Sequence, residues 1–197
     1  PSAGPWHFGV REPGQCANPP HIDRLDPVQG PKGQCFSVQG FGFTDSQTGG
    51  DEIRFGANAI PAMAGGWSER NIVTTAPTTE PMGNYPVKVR VDHGGPIGVL
   101  ESNAVDFAIN SNDLSDGPCL VAINPNQGPW GTRVDLSGTR FGNFTAGQSR
   151  VRFDGSAQFD TDDTTRIMPF PAGGWSDAFV NDAGVVANSF DGRISVE

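Results

Sequence analysis

Basic residues are scarce in this sequence: 13 Lys and Arg stand against 22 Asp and Glu in 197 residues, giving a net charge of -9. Nucleic-acid affinity depends on Lys and Arg displacing counterions from the phosphate backbone, so this balance speaks against DNA or RNA as a partner. Histidine is rarer still. His7, His21 and His93 are far apart, and no HExxH or GxSxG pattern occurs. Catalysis needs convergent acids, bases or nucleophiles, so the chain reads as non-enzymatic, with no cofactor. Cysteine stops at Cys16, Cys35 and Cys119, an odd number without CxxC spacing, which speaks against a structural zinc site or covalent haem. No apolar run approaches the ~20 residues that span a bilayer. The start at Pro1, without an initiator Met or a secretory apolar stretch, reads as a processed or excised segment.

What is plentiful is glycine and proline, 27 and 17 residues, beside 36% hydrophobic residues. This composition interrupts helices and supplies turns. The length suits two modules of about 100 residues each. The sequence repeats itself accordingly. Pro27 and Pro125, Gly30 and Gly128, Gly33 and Gly131, Gly40 and Gly138, and Phe55 and Phe153 are each 98 residues apart. The tetrapeptide GGWS occurs at residues 65–68 and again 108 residues later, at 173–176, so the second copy carries about ten extra residues, around DTDDTTR at 160–166. Apolar residues alternate as in half-buried strands: Phe36 and Val38; Ile53 and Phe55; Val87, Val89 and Val91; Val105, Phe107 and Ile109. Val134 and Leu136, Val151 and Phe153, and Ile194 and Val196 repeat the pattern. The fold class predicted is all-β, two tandem β-sandwiches. Cys16 and Cys35 would both lie near the start of the first, and a disulfide between them is one expectation, with Cys119 left to pair elsewhere. Three reduced, buried thiols are the other.

An opening I..L.P..G at residues 22–30, a V.G.GF strand at 38–43, an I.FG strand at 53–56, a WS...I....P stretch at 67–77 and a closing SN...F at 102–107 follow in order. Each copy thereby resembles the IPT/TIG domain, the immunoglobulin-like fold of plexin-type receptors, some transcription factors, bacterial surface proteins and enzyme accessory modules. The resemblance covers roughly residues 20–110 and, less completely, 118–197, within domains expected at residues 20–111 and 112–197. It implies that Trp67 and Trp175 pack on the sandwich edge, making GGWS a landmark of architecture. Trp130 replaces Lys32 of the first copy in a Gly-rich turn and is the better candidate for a ligand contact, an aromatic face for a sugar ring.

The second copy stops at residues 192–197, GRISVE, which align with residues 87–92 of the first, Val196 falling on Val91. Nothing follows to match the closing strand. Residues 1–19 show the reverse: Trp6, Phe8 and Val10 alternate like Val105, Phe107 and Ile109, at the same distance from the next module. They read as an orphan closing strand. Either the chain is a window from a longer array, or this strand completes the second copy of the next molecule by donor-strand complementation. Trp6, Phe8 and Val10 would then be the donor, and Val134, Leu136, Ile194 and Val196 part of the acceptor face. Flexible tails are the plain alternative.

Asp160, Asp162 and Asp163 could offer oxygen ligands to Ca²⁺, but the loop lacks the Gly and distal Glu of an EF-hand and reads as solvated. GGDE at residues 49–52 reads as a turn, and NFT at 143–145 is an N-glycosylation acceptor by pattern. The expectation is a non-enzymatic extracellular or cell-surface protein whose partners are copies of itself or neighbouring domains. The alternative is a carbohydrate-binding or adhesion module of a secreted enzyme, with a glycan partner. A transcription-factor TIG domain conflicts with the acidic balance.

Overall fold

The computed structural model describes residues 18–125, 127, 132–143, 151–154, 176–180 and 193–196, and among them all regular structure is β-strand. The first segment contributes β1 (His21–Asp26), β2 (Gln29–Lys32), β3 (Cys35–Phe41), β4 (Glu52–Phe55), β5 (Asn58–Ile60), β6 (Ala62–Trp67), β7 (Asn71–Thr75), β8 (Gly83–Asp92), β9 (Val99–Glu101) and β10 (Val105–Leu114). One sheet runs β1-β3-β7-β6; the other runs β2-β10-β8-β4-β5, with β9 on β8. The chain crosses from the first sheet to the second at Pro27, so β2 lies parallel to β10 while the other pairs are antiparallel.

The alternation in the sequence explains the layers. Phe36 and Val38 of β3, Ile53 and Phe55 of β4, Val87, Val89 and Val91 of β8, and Phe107 and Ile109 of β10 all point into one core. At its centre Phe36 from one sheet meets Phe107 and Phe55 from the other, with ring centroids 4.6 and 6.3 Å away. Burying each such ring contributes about 1.5–3 kcal/mol.

The second segment contributes β11 (Cys119–Asn124), β12 (Asp135–Thr139), β13 (Val151–Asp154), β14 (Phe179–Val180) and β15 (Arg193–Val196). β11-β12-β14 form one sheet and β13-β15 another ladder, around Val134, Leu136, Phe141, Val151 and Val180. The first segment's details recur. β1 pairs β3 with a bulge after Ile22, and β11 pairs β12 with a bulge after Leu120, 98 residues on. Both Asp26-Pro27 and Asn124-Pro125 are cis. Gly40 N donates to Arg70 O at 3.0 Å and Gly138 N to Ala178 O at 2.9 Å; Phe43 N and Phe141 N make the matching bonds one turn later.

One register differs from the alignment. Ile53 pairs with Val89 and Phe55 with Val87, whereas Val151 pairs with Val196 and Phe153 with Ile194. Val196 therefore stands at the position of Val89, not of Val91. Strand alternation has period two and cannot detect a slip of two residues, which leaves every side chain on the same face.

Candidate functional site

Trp67 answers for GGWS. Its indole Nε1 donates to Phe43 O at 2.6 Å and its ring is buried against the core. Ser68 then turns the chain into β7: its N donates to Asn71 O at 2.9 Å and its Oγ accepts from Asn71 N at 3.1 Å. Ser176 repeats this, donating to Phe179 O at 2.8 Å and accepting from Phe179 N at 3.0 Å. The closing SN motif is a clasp: Asn103 Oδ1 accepts from Ile22 N at 2.8 Å while its Nδ2 donates to Ile22 O at 2.9 Å, so its side chain acts as a strand neighbour of β1. In GGDE, Asp51 is buried and gathers Thr48 N, Thr48 Oγ1 and, across the loop, Asp92 N within 3.0 Å. It is a structural knot. His21 stacks on Phe41 with centroids 5.1 Å apart, and His93 N donates to Gly98 O within a hairpin turn.

Charged groups ladder the outer face of β4, β8 and β9. Glu52 is bonded by Arg54 at 2.8 Å and by Arg90; Lys88 reaches Glu101 at 2.7 Å. Partial burial pushes the Glu52 carboxyl up, but the hydrogen bonds and charges of Arg54 and Arg90 outweigh it and hold the group below its ordinary value of 4.5. Tyr85 is pushed up by partial desolvation and by the Glu80 charge.

Sulfur chemistry corrects one expectation. Cys35 bonds Cys119, with Cα atoms 5.6 Å apart, so Cys35 is not paired with Cys16. β3 and β11 begin side by side across the joint between the two segments, a proximity that separation along the chain does not reveal. Arg140 reaches into the same joint, its Nη1 donating to Ser115 O at 2.6 Å and to Gly33 O at 3.3 Å. Sequence reasoning missed Arg140, and its partners are backbone carbonyls that carry no residue signature.

Val134 and Leu136 lie buried in the second core, and Ile194 and Val196 lie on β15, whose partner among the described residues is β13. Trp6, Phe8, Val10, Cys16, Trp130, Asp160, Asp162, Asp163 and Trp175 lie outside the described residues. Among the described residues, no three His, Cys, Asp or Glu side chains gather as metal ligands.

Residues 20–109 match the family model of the IPT/TIG domain, so the first sandwich is an immunoglobulin-like TIG domain. A search of curated proteins gives no match. Similar solved structures include the plexin A4 full extracellular region, domains 1 to 8, at 19% identity and TM-score 0.37, covering 93% of this chain and 17% of that one. A second form, domains 1 to 10, stands at 18% and 0.36, covering 93% and 14%. A crystal structure with xylogluco-oligosaccharide stands at 18% and 0.30, covering 97% and 39%. The chain thus spans less than half the length of each of them.

Proposed function

We propose that this chain is a non-enzymatic stretch of an extracellular or cell-surface protein, built from two TIG-type sandwiches in tandem at residues 20–111 and 112–197, whose task is to hold surface contacts at a fixed spacing. The observation that carries the reading is the Cys35–Cys119 disulfide. Disulfides form and persist in oxidising compartments, and this one joins the two segments. The tandem reading is supported by the 98-residue recurrence of the bulge, the sheet-crossing proline and the Gly40/Gly138 bonds. The TIG domain is itself a non-catalytic module.

Strand edges supply the contacts in this reading. Trp6, Phe8 and Val10 add as a strand beside β15, over the face that includes Val134, Leu136, Ile194 and Val196. Supplied by the next copy, such a strand makes a heterologous contact that propagates head to tail.

Non-reducing peptide mapping of the secreted chain should return a linked Cys35–Cys119 peptide; free thiols at both positions would remove the basis for an extracellular site. Light scattering should show large species that vanish when residues 1–11 are deleted, and a monomer in both forms would end the strand-exchange reading. Glycan-array binding lost in Trp130→Ala would replace the scaffold role with a carbohydrate-binding one.

A further inference from the structure

Three bonds of different kinds converge on residues 32–35, the turn between β2 and β3. Ser115 N donates to Lys32 O at 2.7 Å, Arg140 Nη1 donates to Gly33 O, and Cys35 is joined to Cys119. Only residues 115–118 separate β10 from β11. Among the described residues the hydrogen-bonded and covalent ties between the segments therefore cluster at one short joint, and β11 also runs close to β6 beside it.

Arg140 is the unusual member. It stands 98 residues after Gly42, and both residues are left-handed, with φ of 62° and 76°. Glycine takes that conformation freely; a residue with a Cβ does so at a cost. At this position the first copy has the glycine and the second does not, whereas at Thr44 and Gly142 the order is reversed; Arg140 differs in having a side chain that bonds back to Gly33 and to Ser115. The bonding is incomplete, because among the described residues the buried Arg140 Nη2 has no partner. A guanidinium removed from water and only partly bonded favours rehydration. Arg140 can set the angle of the joint, but it does not by itself hold the joint closed.

We propose that the joint is a redox lock: the Cys35–Cys119 bond holds the two segments at an angle set by Arg140, and its reduction frees them to swing about residues 115–118. This rests on the tandem reading above. Cys119 is 1% exposed and Cys35 only half-buried, so a dithiol reductant attacks the Cys35 sulfur. Cys119 leaves as the thiolate and takes a proton. The reductant's second thiolate then displaces Cys35, which also leaves as a thiol, and the reductant departs as its own disulfide.

The test is small-angle X-ray scattering of the full chain in a Cys16→Ser background, oxidised and after treatment with dithiothreitol, with near-UV circular dichroism and a thiol titration on the same samples. The expected result is two new thiols, unchanged dichroism and a broadened distribution of maximal dimension. Arg140→Gly, which restores the residue of the first copy, should stay narrow when oxidised but at a shifted mean dimension. Superimposable curves for the oxidised and fully reduced chain would overturn the lock while leaving the scaffold reading intact. Collapse of the dichroism on reduction would overturn it too, because the bond would then be holding a fold and not an angle. An oxidised Arg140→Gly curve identical to the parent would remove Arg140 from the mechanism.

Discussion

Gly138 shows what a single residue carries. A Cβ there would sit 2.0 Å from Cys119 O and 2.5 Å from Phe141 Cζ, and at Gly40 it would sit 1.9 Å from His21 O. The obstacle in each case is a backbone oxygen of the bulged first strand, which cannot rotate away. Gly40→Ala and Gly138→Ala should each destabilise by about 3 kcal/mol or more in urea unfolding. Gly94→Ala meets open space and only the strain of φ 64°, and should cost about 1 kcal/mol. Equal losses at Gly40 and Gly94 would contradict the steric account. Trp67→Phe keeps the ring but leaves Phe43 O without the indole donor, an expected loss of about 1–2 kcal/mol by the same assay. The paired glycines and GGWS were legible in the sequence because the repeat marks them twice. Arg140 was not, since the comparison with Gly42 gains meaning only once the carbonyls it reaches are placed.

Strands and ladders were legible wherever one face is buried and one is wet, as in Val87, Val89 and Val91 against Lys88 and Arg90. The β13/β15 register was not, for the period-two reason given above. The β4/β8 ladder adds a pH dependence. Glu52 has a folded-state value below 4.5, so the protonated form is the one disfavoured by folding. Its contribution is then fully present above the unfolded-state value and is lost as pH falls through the lowered folded value. Melting temperatures of Glu52→Gln and the parent should differ at pH 7 and converge as the pH falls well below 4.5. A gap that persists at the lowest pH would show that the loss comes from packing and not from charge. The ladder's partners are partly exposed, so the gap should shrink in high salt.

At the scale of the whole molecule, the sequence repeat implies two cores, and among the described residues two buried clusters have no member in common, one around Phe36, Phe55 and Phe107 and one around Leu136 and Val180. The Cys35–Cys119 pairing was not foretold: an odd set of three cysteines leaves the partners open until the folds are set side by side. Between the clusters lie a disulfide, the Arg140 contact, a short linker and the approach of β11 to β6, and among the described residues the two clusters have no buried residue in common. Energetic coupling through so narrow a joint should be weak once the disulfide is reduced, since mutational effects add when sites share no partners. Phe107→Ala empties the centre of the first core and should cost about 3–5 kcal/mol there. In the reduced chain, amide exchange should therefore accelerate in β3, β8 and β10 while the Leu136 amide in β12 keeps its protection. Leu136→Ala should do the reverse, at a cost of about 2–5 kcal/mol. Loss of protection in both halves from either substitution would mean that the segments fold as one cooperative unit, and the picture of two sandwiches governed by a joint would have to be abandoned.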